Sequence, residues 1–185
     1  MRLPQRDLHQ RLRTEALANH ERVATLARRL DPEQLVRRPA AGGWSVAEVL
    51  EHLCVADEAY LPRLTNLVHR APRDAGAPAR EWKASFFGNL IATTLEKPRP
   101  VKSPKIFRVV GTPRNGVVED FLARDTRVVT MMDDAATIDW SRARLASPAL
   151  PVPIIRMNLG DVFRIHVVHV RRHLGQMERV TKELT

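Results

Sequence analysis

Residues 159–184 read LGDVFRIHVVHVRRHLGQMERVTKEL. Within them Leu159, Phe163, His166, Val170, His173, Met177, Val180 and Leu184 follow one another at spacings of 4, 3, 4, 3, 4, 3 and 4. An α-helix turns once in about 3.6 residues, so alternating steps of three and four hold one face toward a partner. The pattern is the seam of a helix packed in a bundle. Asn158 stands where an N-cap belongs. Asp161 falls in the first turn, where the helix dipole favours an anion.

Working upstream, Ser45–His69 repeats the theme with Val49, Leu53, Ala56, Tyr60, Leu64 and Leu67. Its start is marked by Ser45-Val46-Ala47-Glu48, a capping box in which each end of the turn bonds the other. Pro62 inside this segment is expected to kink or locally open it. Gln5–Leu30 keeps Leu8, Leu12, Ala16, Val23, Ala27 and Leu30 mostly on one face. Glu81–Lys97 stacks Trp82, Phe86, Leu90 and Thr94 four apart and is expected to be a shorter helix; Val117–Ala135 is another. Breaks fall at Leu30-Asp31-Pro32, at Pro39 to Gly43 and at Ala71 to Ala79. Others fall across the prolines at 98, 100, 104 and 113, and at Pro148, Pro151 and Pro153. The single β-like run is Ile106–Val110, short and flanked by proline. Long helices with so little strand predict an all-α fold, a helical bundle.

The 185 residues, 21.0 kDa, make one domain spanning 1–185, with no internal repeat. A 44% hydrophobic fraction suffices for a core without staples, and 28% charge is ordinary for a folded chain. There is no apolar run long enough to span a membrane, and the polar start MRLPQRDLHQRLR lacks a signal-peptide core. A lone Cys54 forms no internal disulfide, so the expected location is cytoplasmic. Cys54 itself reads as a small core hydrophobe rather than a redox thiol. The net charge of +9 comes from 25 Arg and 5 Lys against 21 acids. These arginines are scattered singles and doublets with no basic tail, so most read as a solvated surface. An arginine-lined site mouth or nucleic-acid binding are the rival readings.

Seven histidines are present, three of them, His166, His169 and His173, on the last predicted helix. His169 and His173 are four apart, so they share a face with Cβ atoms about 5–6 Å apart. Two imidazoles so placed can converge on one ion. His166 and His173 are seven apart, a rise of about 10.5 Å, too far to share it. A third ligand must then come from another helix. His52, beside the apolar face of the capped segment, is the candidate; His9, His20 and His69 read as solvated. The alternative is a set of hydrogen-bonded core histidines without metal.

The stretch Gly43-Trp44-Ser45-Val46-Ala47-Glu48-Val49-Leu50-Glu51-His52-Leu53 and the segment His169-Val170-Arg171-Arg172-His173-Leu174-Gly175-Gln176 together resemble the DinB/YfiT-like superfamily. The resemblance implies a four-helix bundle, connected up-down-down-up, with extra short helices. It implies a divalent metal held by His52, His169 and His173, zinc by default and nickel or iron as alternatives. A fourth position would be left for water or substrate. It also implies a thiol-dependent transferase or isomerase, using a low-molecular-weight thiol, or a hydrolase. A non-enzymatic basic helical module, or a purely structural metal, are the competing readings. The catalytic and cofactor-binding residues stay unassigned. Gln176, Asp57 and Tyr60 are candidates to support the ligands; for Asp57 and Tyr60 a solvated acid and a core aromatic are the preferred readings. Arg172 is expected to point away from the site. The expected partners are a small anionic or thiol-containing substrate and a second copy of the chain, with no specific nucleic acid and no membrane.

Overall fold

A computed structural model describes residues 1–97, 103–148 and 156–184. The elements run β1 (Arg2–Pro4), α1 (Gln5–Ala27), α2 (Pro32–Val36), α3 (Val46–Arg70), β2 (Glu81–Lys83), α4 (Phe86–Glu96), α5 (Val117–Asp134), β3 (Arg144–Ala146), β4 (Arg156–Asn158) and α6 (Leu159–Leu184). The fold is mostly helical, as expected, and adds two small antiparallel sheets of three-residue strands. β1 pairs with β2, Leu3 opposite Trp82, and β3 pairs with β4, Leu145 opposite Met157. Among the described residues no helix is long and apolar enough to cross a membrane.

The four long helices contact one another in a ring, α1 on α5 and α6, and α3 on α5 and α6. Their apolar faces form two cores. One gathers Leu8 and Leu12 of α1, Leu61 and Leu64 of α3, Met132 of α5 and Phe163 of α6. The other gathers Val23, Val49, Leu50, Phe121, Leu174 and Met177. Each large apolar side chain so buried contributes about 1.5–3 kcal/mol, which sets helix positions firmly at both ends of the molecule.

The helix starts follow their chemistry. Ser45 Oγ accepts from the Glu48 N–H at 3.2 Å and Glu48 accepts from the Ser45 N–H at 2.9 Å, as the capping box requires. Gly43, at φ +112°, makes the turn into it. Asn158 Oδ1 accepts from the Asp161 N–H at 2.9 Å, so Asn158 does cap α6. Helix α2 was hidden in a break. Asp31 caps it, Gln34 closes a second capping box and Pro32 begins it. The expected opening at Pro62 is absent: α3 runs through it, because Pro62 and Glu58, whose carbonyl it leaves unbonded, are both exposed to water.

The expected helix over Glu81–Lys97 divides in two. Trp82 lies in β2, fully buried, with Nε1 donating to Asn158 Oδ1 at 2.9 Å. The helix starts only after Ser85, whose hydroxyl accepts from the Gly88 N–H. The four-residue stripe was therefore misleading: Phe86 is 77% and Leu90 53% exposed, and the buried face is Gly88 and Ala92. A Cβ at Gly88 would collide with Asp161, so this glycine lets α4 sit directly on α6. The β-like run Ile106–Val110 is no strand. Its start lies in a 3-10 turn, Lys105–Phe107, set by Pro104. The breaks at Pro98, Pro100, Pro151 and Pro153 lie outside the described residues.

Candidate metal centre

His52 of α3 meets His169 and His173 of α6 between the two cores. The three can each offer a ring nitrogen with all three atoms within 4.8 Å of one another. His52 Nε2 and His169 Nε2 are 3.1 Å apart. Nitrogens bound to one tetrahedral zinc at about 2.0–2.1 Å would themselves stand about 3.3 Å apart, so the spacing suits an ion.

The outer nitrogens decide which way the lone pairs face. His52 Nδ1 lies 2.7 Å from the Phe107 carbonyl, which can only accept; Nδ1 therefore carries the proton and Nε2 presents a lone pair. His173 Nδ1 lies 3.0 Å from Gln176 Oε1, which fixes its ring in the same sense. Metal-binding histidines carry this kind of outer partner. Gln176 is thus a supporting residue, as its place three after His173 suggested.

The Phe107 carbonyl is the partner that periodicity missed, because it arrives on a loop. That loop is anchored by Arg114. Its guanidinium forks onto Glu51 at 2.9 and 2.7 Å and reaches Glu58 and Asp120, both at 2.7 Å. Part of the arginine surplus therefore serves to tie the loop to α3 and α5.

Electrostatics favour neutral rings. Burial lowers the pKa of His52, partly offset by the Phe107 carbonyl. Burial, with His173 and His52 close by, drives His169 well below its ordinary value. Burial and His52 push His173 down to about 3. Imidazoles must be unprotonated to bind a metal, and these three are so at neutral pH. Trp44 walls the cluster, its ring centroid 5.1 Å from that of His52 and 6.4 Å from that of His173.

The cluster opens into a cavity of about 610 Å³ lined in part by Trp44, Tyr60, Leu64, Leu95, Phe107 and Phe163. Arg172 also lines it, which corrects the expectation that it points away. It donates to the Leu95 and Lys97 carbonyls at 3.1 and 2.7 Å, where the dipole of α4 favours a cation. Tyr60 is half-buried, bonded to Ser147 Oγ at 3.0 Å, and burial raises its pKa. Cys54 is fully buried beside Leu50 and Leu53 and its thiol is pushed up to about 12, so it is a core residue.

His166 does not join the triad. It sits between two carboxylates, Nε2 at 2.9 Å from Asp125 Oδ1 and Nδ1 at 3.3 Å from Asp57 Oδ1. Asp125 Oδ2 in turn bonds His20 Nδ1 at 3.0 Å. The chain takes one residue from each long helix: His20 from α1, Asp57 from α3, Asp125 from α5 and His166 from α6. Burial opposes charge on His166, but the carboxylates of Asp57 and Asp125 prevail and raise its pKa to about 10. Two expectations are corrected here. Asp57 is buried, not solvated, and His20 is tied into the interior chain. Likewise His9 bonds Asp133 at 3.0 Å and packs edge-on to Trp140; only His69 is exposed as expected. Asp125 went unnoticed in the sequence, yet its signal was there: Phe121, Asp125, Val128 and Met132 form one stripe, with an acid in an apolar row.

The donor set is therefore chemically suited to a divalent ion: three neutral imidazoles, two with fixed tautomers, and a cavity on their open side. The family model of the DinB superfamily matches residues 16–177. Searches among curated proteins and among solved structures gave no significant match. The match runs from Ala16 within α1 to Met177 of α6 and includes His52, His169 and His173, and on it the chain belongs to the DinB superfamily.

Proposed function

We propose that the protein is a metal-dependent enzyme whose ion is held by His52, His169 and His173. The observation that carries this reading is the pair of outer acceptors. The Phe107 carbonyl and Gln176 Oε1 hold protons on Nδ1 of His52 and His173, so both Nε2 lone pairs remain for an ion. A closed structural zinc site would call for a fourth protein ligand, and among the described residues the cluster contains three. Zinc is the first choice of ion, with Ni²⁺ or Fe²⁺ also suited to imidazoles. Bound there, the ion would supply a low-pKa water or hold a thiol as thiolate.

The reaction class we favour is thiol transfer or isomerisation with a small anionic thiol, hydrolysis being the second. Arg172 at the cavity wall supports an anionic ligand, since its charge and that of the ion add. The chain's own residues provide the setting. Trp44 and Phe107 limit water at the ligands, and Tyr60 offers a hydroxyl on the wall. The up-down-down-up course belongs to the same proposal. It is supported by the sorting of the cores, which puts the first halves of α1 and α6 with the second halves of α3 and α5. A cytoplasmic homodimer is the proposed setting. The test is reaction of a low-molecular-weight thiol with a soluble electrophile, catalysed by metal-loaded protein and not by chelated protein. Metal binding without any metal-dependent turnover of thiol or ester would leave a structural ion as the better reading.

A further inference from the structure

Resting on that reading of the site, we propose a more specific substrate: the cavity takes a molecule with a metal-seeking head and an uncharged apolar tail. The argument starts from the order of residues along the two helices that wall the cavity. On α3 the lining runs from His52 through Ala56, Tyr60 and Leu61 to Leu64. Twelve residues of helix rise about 18 Å. On α6 it runs back from His173 through His169 to Phe163 and Val162. Both paths end in the same core, since Leu61, Leu64, Val162, Phe163 and the cavity-lining Val128 belong to one cluster. The cavity is therefore a channel with the histidines at one end and aliphatic side chains at the other.

The two ends differ in polarity and depth. Arg172 and Gln176 lie at the histidine end and are half-exposed. Leu64, Val128, Val162 and Phe163 at the far end are each buried, while Leu90 of α4, which also lines the cavity, is exposed. On the wall formed by α3 and α6, Tyr60 is paired with Ser147 and Asp57 with His166. Asp57 Oδ2 lacks a hydrogen-bond partner among the described residues, but it is itself buried and offers no surface to a ligand. An apolar tail passing these groups strips no hydrogen bond from the protein. A charged tail terminus set against Leu64, Val128 and Phe163 would be left without a partner, at a cost of several kcal/mol. At about 30 Å³ per water-sized group, 610 Å³ holds roughly twenty such groups, enough for a head and a tail of roughly ten carbons.

The test uses straight-chain alkyl hydroxamates, from acetohydroxamate to decanohydroxamate, titrated calorimetrically into the full-length zinc-loaded protein. Each added CH₂ is expected to tighten binding about fourfold until the channel is full. An ω-carboxylate on the octyl chain is expected to cancel the gain from chain length. Val128→Phe should bring the plateau at a shorter chain. Should that variant not fold, the chain-length series and the ω-carboxylate on the wild type decide the matter alone. Metal-dependent binding that is flat in chain length, or equal for charged and uncharged tails, would overturn the proposal and leave the metal reading standing. In the opposite case, n-alkyl alcohols would show the same chain-length gain on protein whose hydroxamate affinity ignores zinc. That result would support the apolar channel and defeat the metal reading.

Discussion

His166→Gln should change the pH dependence of stability, and not only its size. In the native protein the His166 side chain is 12% exposed, Asp57 9% and Asp125 1%. Burial works against the imidazolium, but the two carboxylates lift its pKa from 6.5 to about 10. A raised pKa means that the native state holds the proton more tightly than the unfolded chain. The stabilisation is then complete below pH 6.5 and is lost as pH climbs through about 10. At 1.36 kcal/mol per pH unit, the span amounts to about 5 kcal/mol. Glutamine fills similar space and keeps hydrogen-bonding groups, but leaves Asp57 and Asp125 without their cation. Breaking a buried pair in this way costs about 3–5 kcal/mol, a large share of a domain's stability of about 5–15 kcal/mol. The Cys54 thiol, pushed up to about 12, also weakens the fold in alkali, but equally in both proteins, so it cancels in the difference. The assay is urea unfolding of wild type and variant from pH 6 to 10. The gap between them should be widest at the acid end, near pH 6, and shrink to about 1–2 kcal/mol by pH 10. A gap that stays constant with pH would refute the charged clamp.

Other predictions follow the same contacts. Chelated protein should keep most of its helical circular dichroism at room temperature, because two apolar cores stand without the ion; collapse of the helical signal would count against this. A thousandfold excess of metal over its Kd should then raise stability by about 4 kcal/mol. Gln176→Leu frees the His173 ring and should weaken metal binding about 10- to 100-fold, measured by competition with a chromophoric chelator. Acid should both release metal and destabilise the apo fold. His52, His169 and His173 have lowered pKa values, so the unfolded chain takes up protons first as pH falls below 6.5 toward 3. Gly160→Ala should lower the thermal midpoint, since a Cβ there would collide with the Trp82 indole that bonds Asn158; the overpacking costs about 1–3 kcal/mol. A short DNA duplex should bind weakly and lose that binding at about 150 mM salt, because dispersed arginines offer only counterion release.

The long helices were legible because each carries an apolar stripe at helical spacing and, for α3 and α6, a side-chain cap at its start. The histidine cluster was legible for a related reason. The four-residue step from His169 to His173 fixes a common face, and one His on the opposed α3 completes it. What stayed hidden depended on contacts between distant segments. Trp82 continues the period of α4, yet its partner is Leu3 across a two-stranded sheet that no local pattern announces. The Phe107 carbonyl sits in a proline-rich loop whose position depends on Arg114 and three acids. The His20–Asp125–His166–Asp57 chain needs four helices at one level, and although His166 and Asp125 each sit in an apolar row, nothing local pairs them with each other or with His20 and Asp57. Arg172 was misplaced because its guanidinium follows the carbonyls at the end of α4, not the direction of its Cβ.

The central claim is that His52, His169 and His173 share one ion. Elemental analysis of untagged protein, purified without chelator or nickel resin, tests it most directly when run beside His52→Ala, His169→Ala and the exposed control His69→Ala. The account predicts one divalent ion per chain in wild type and His69→Ala, and loss of tight binding in each of the other two. A wild-type protein free of metal that takes up none on adding zinc would contradict it. So would a His52→Ala variant that holds a full, equally tight complement.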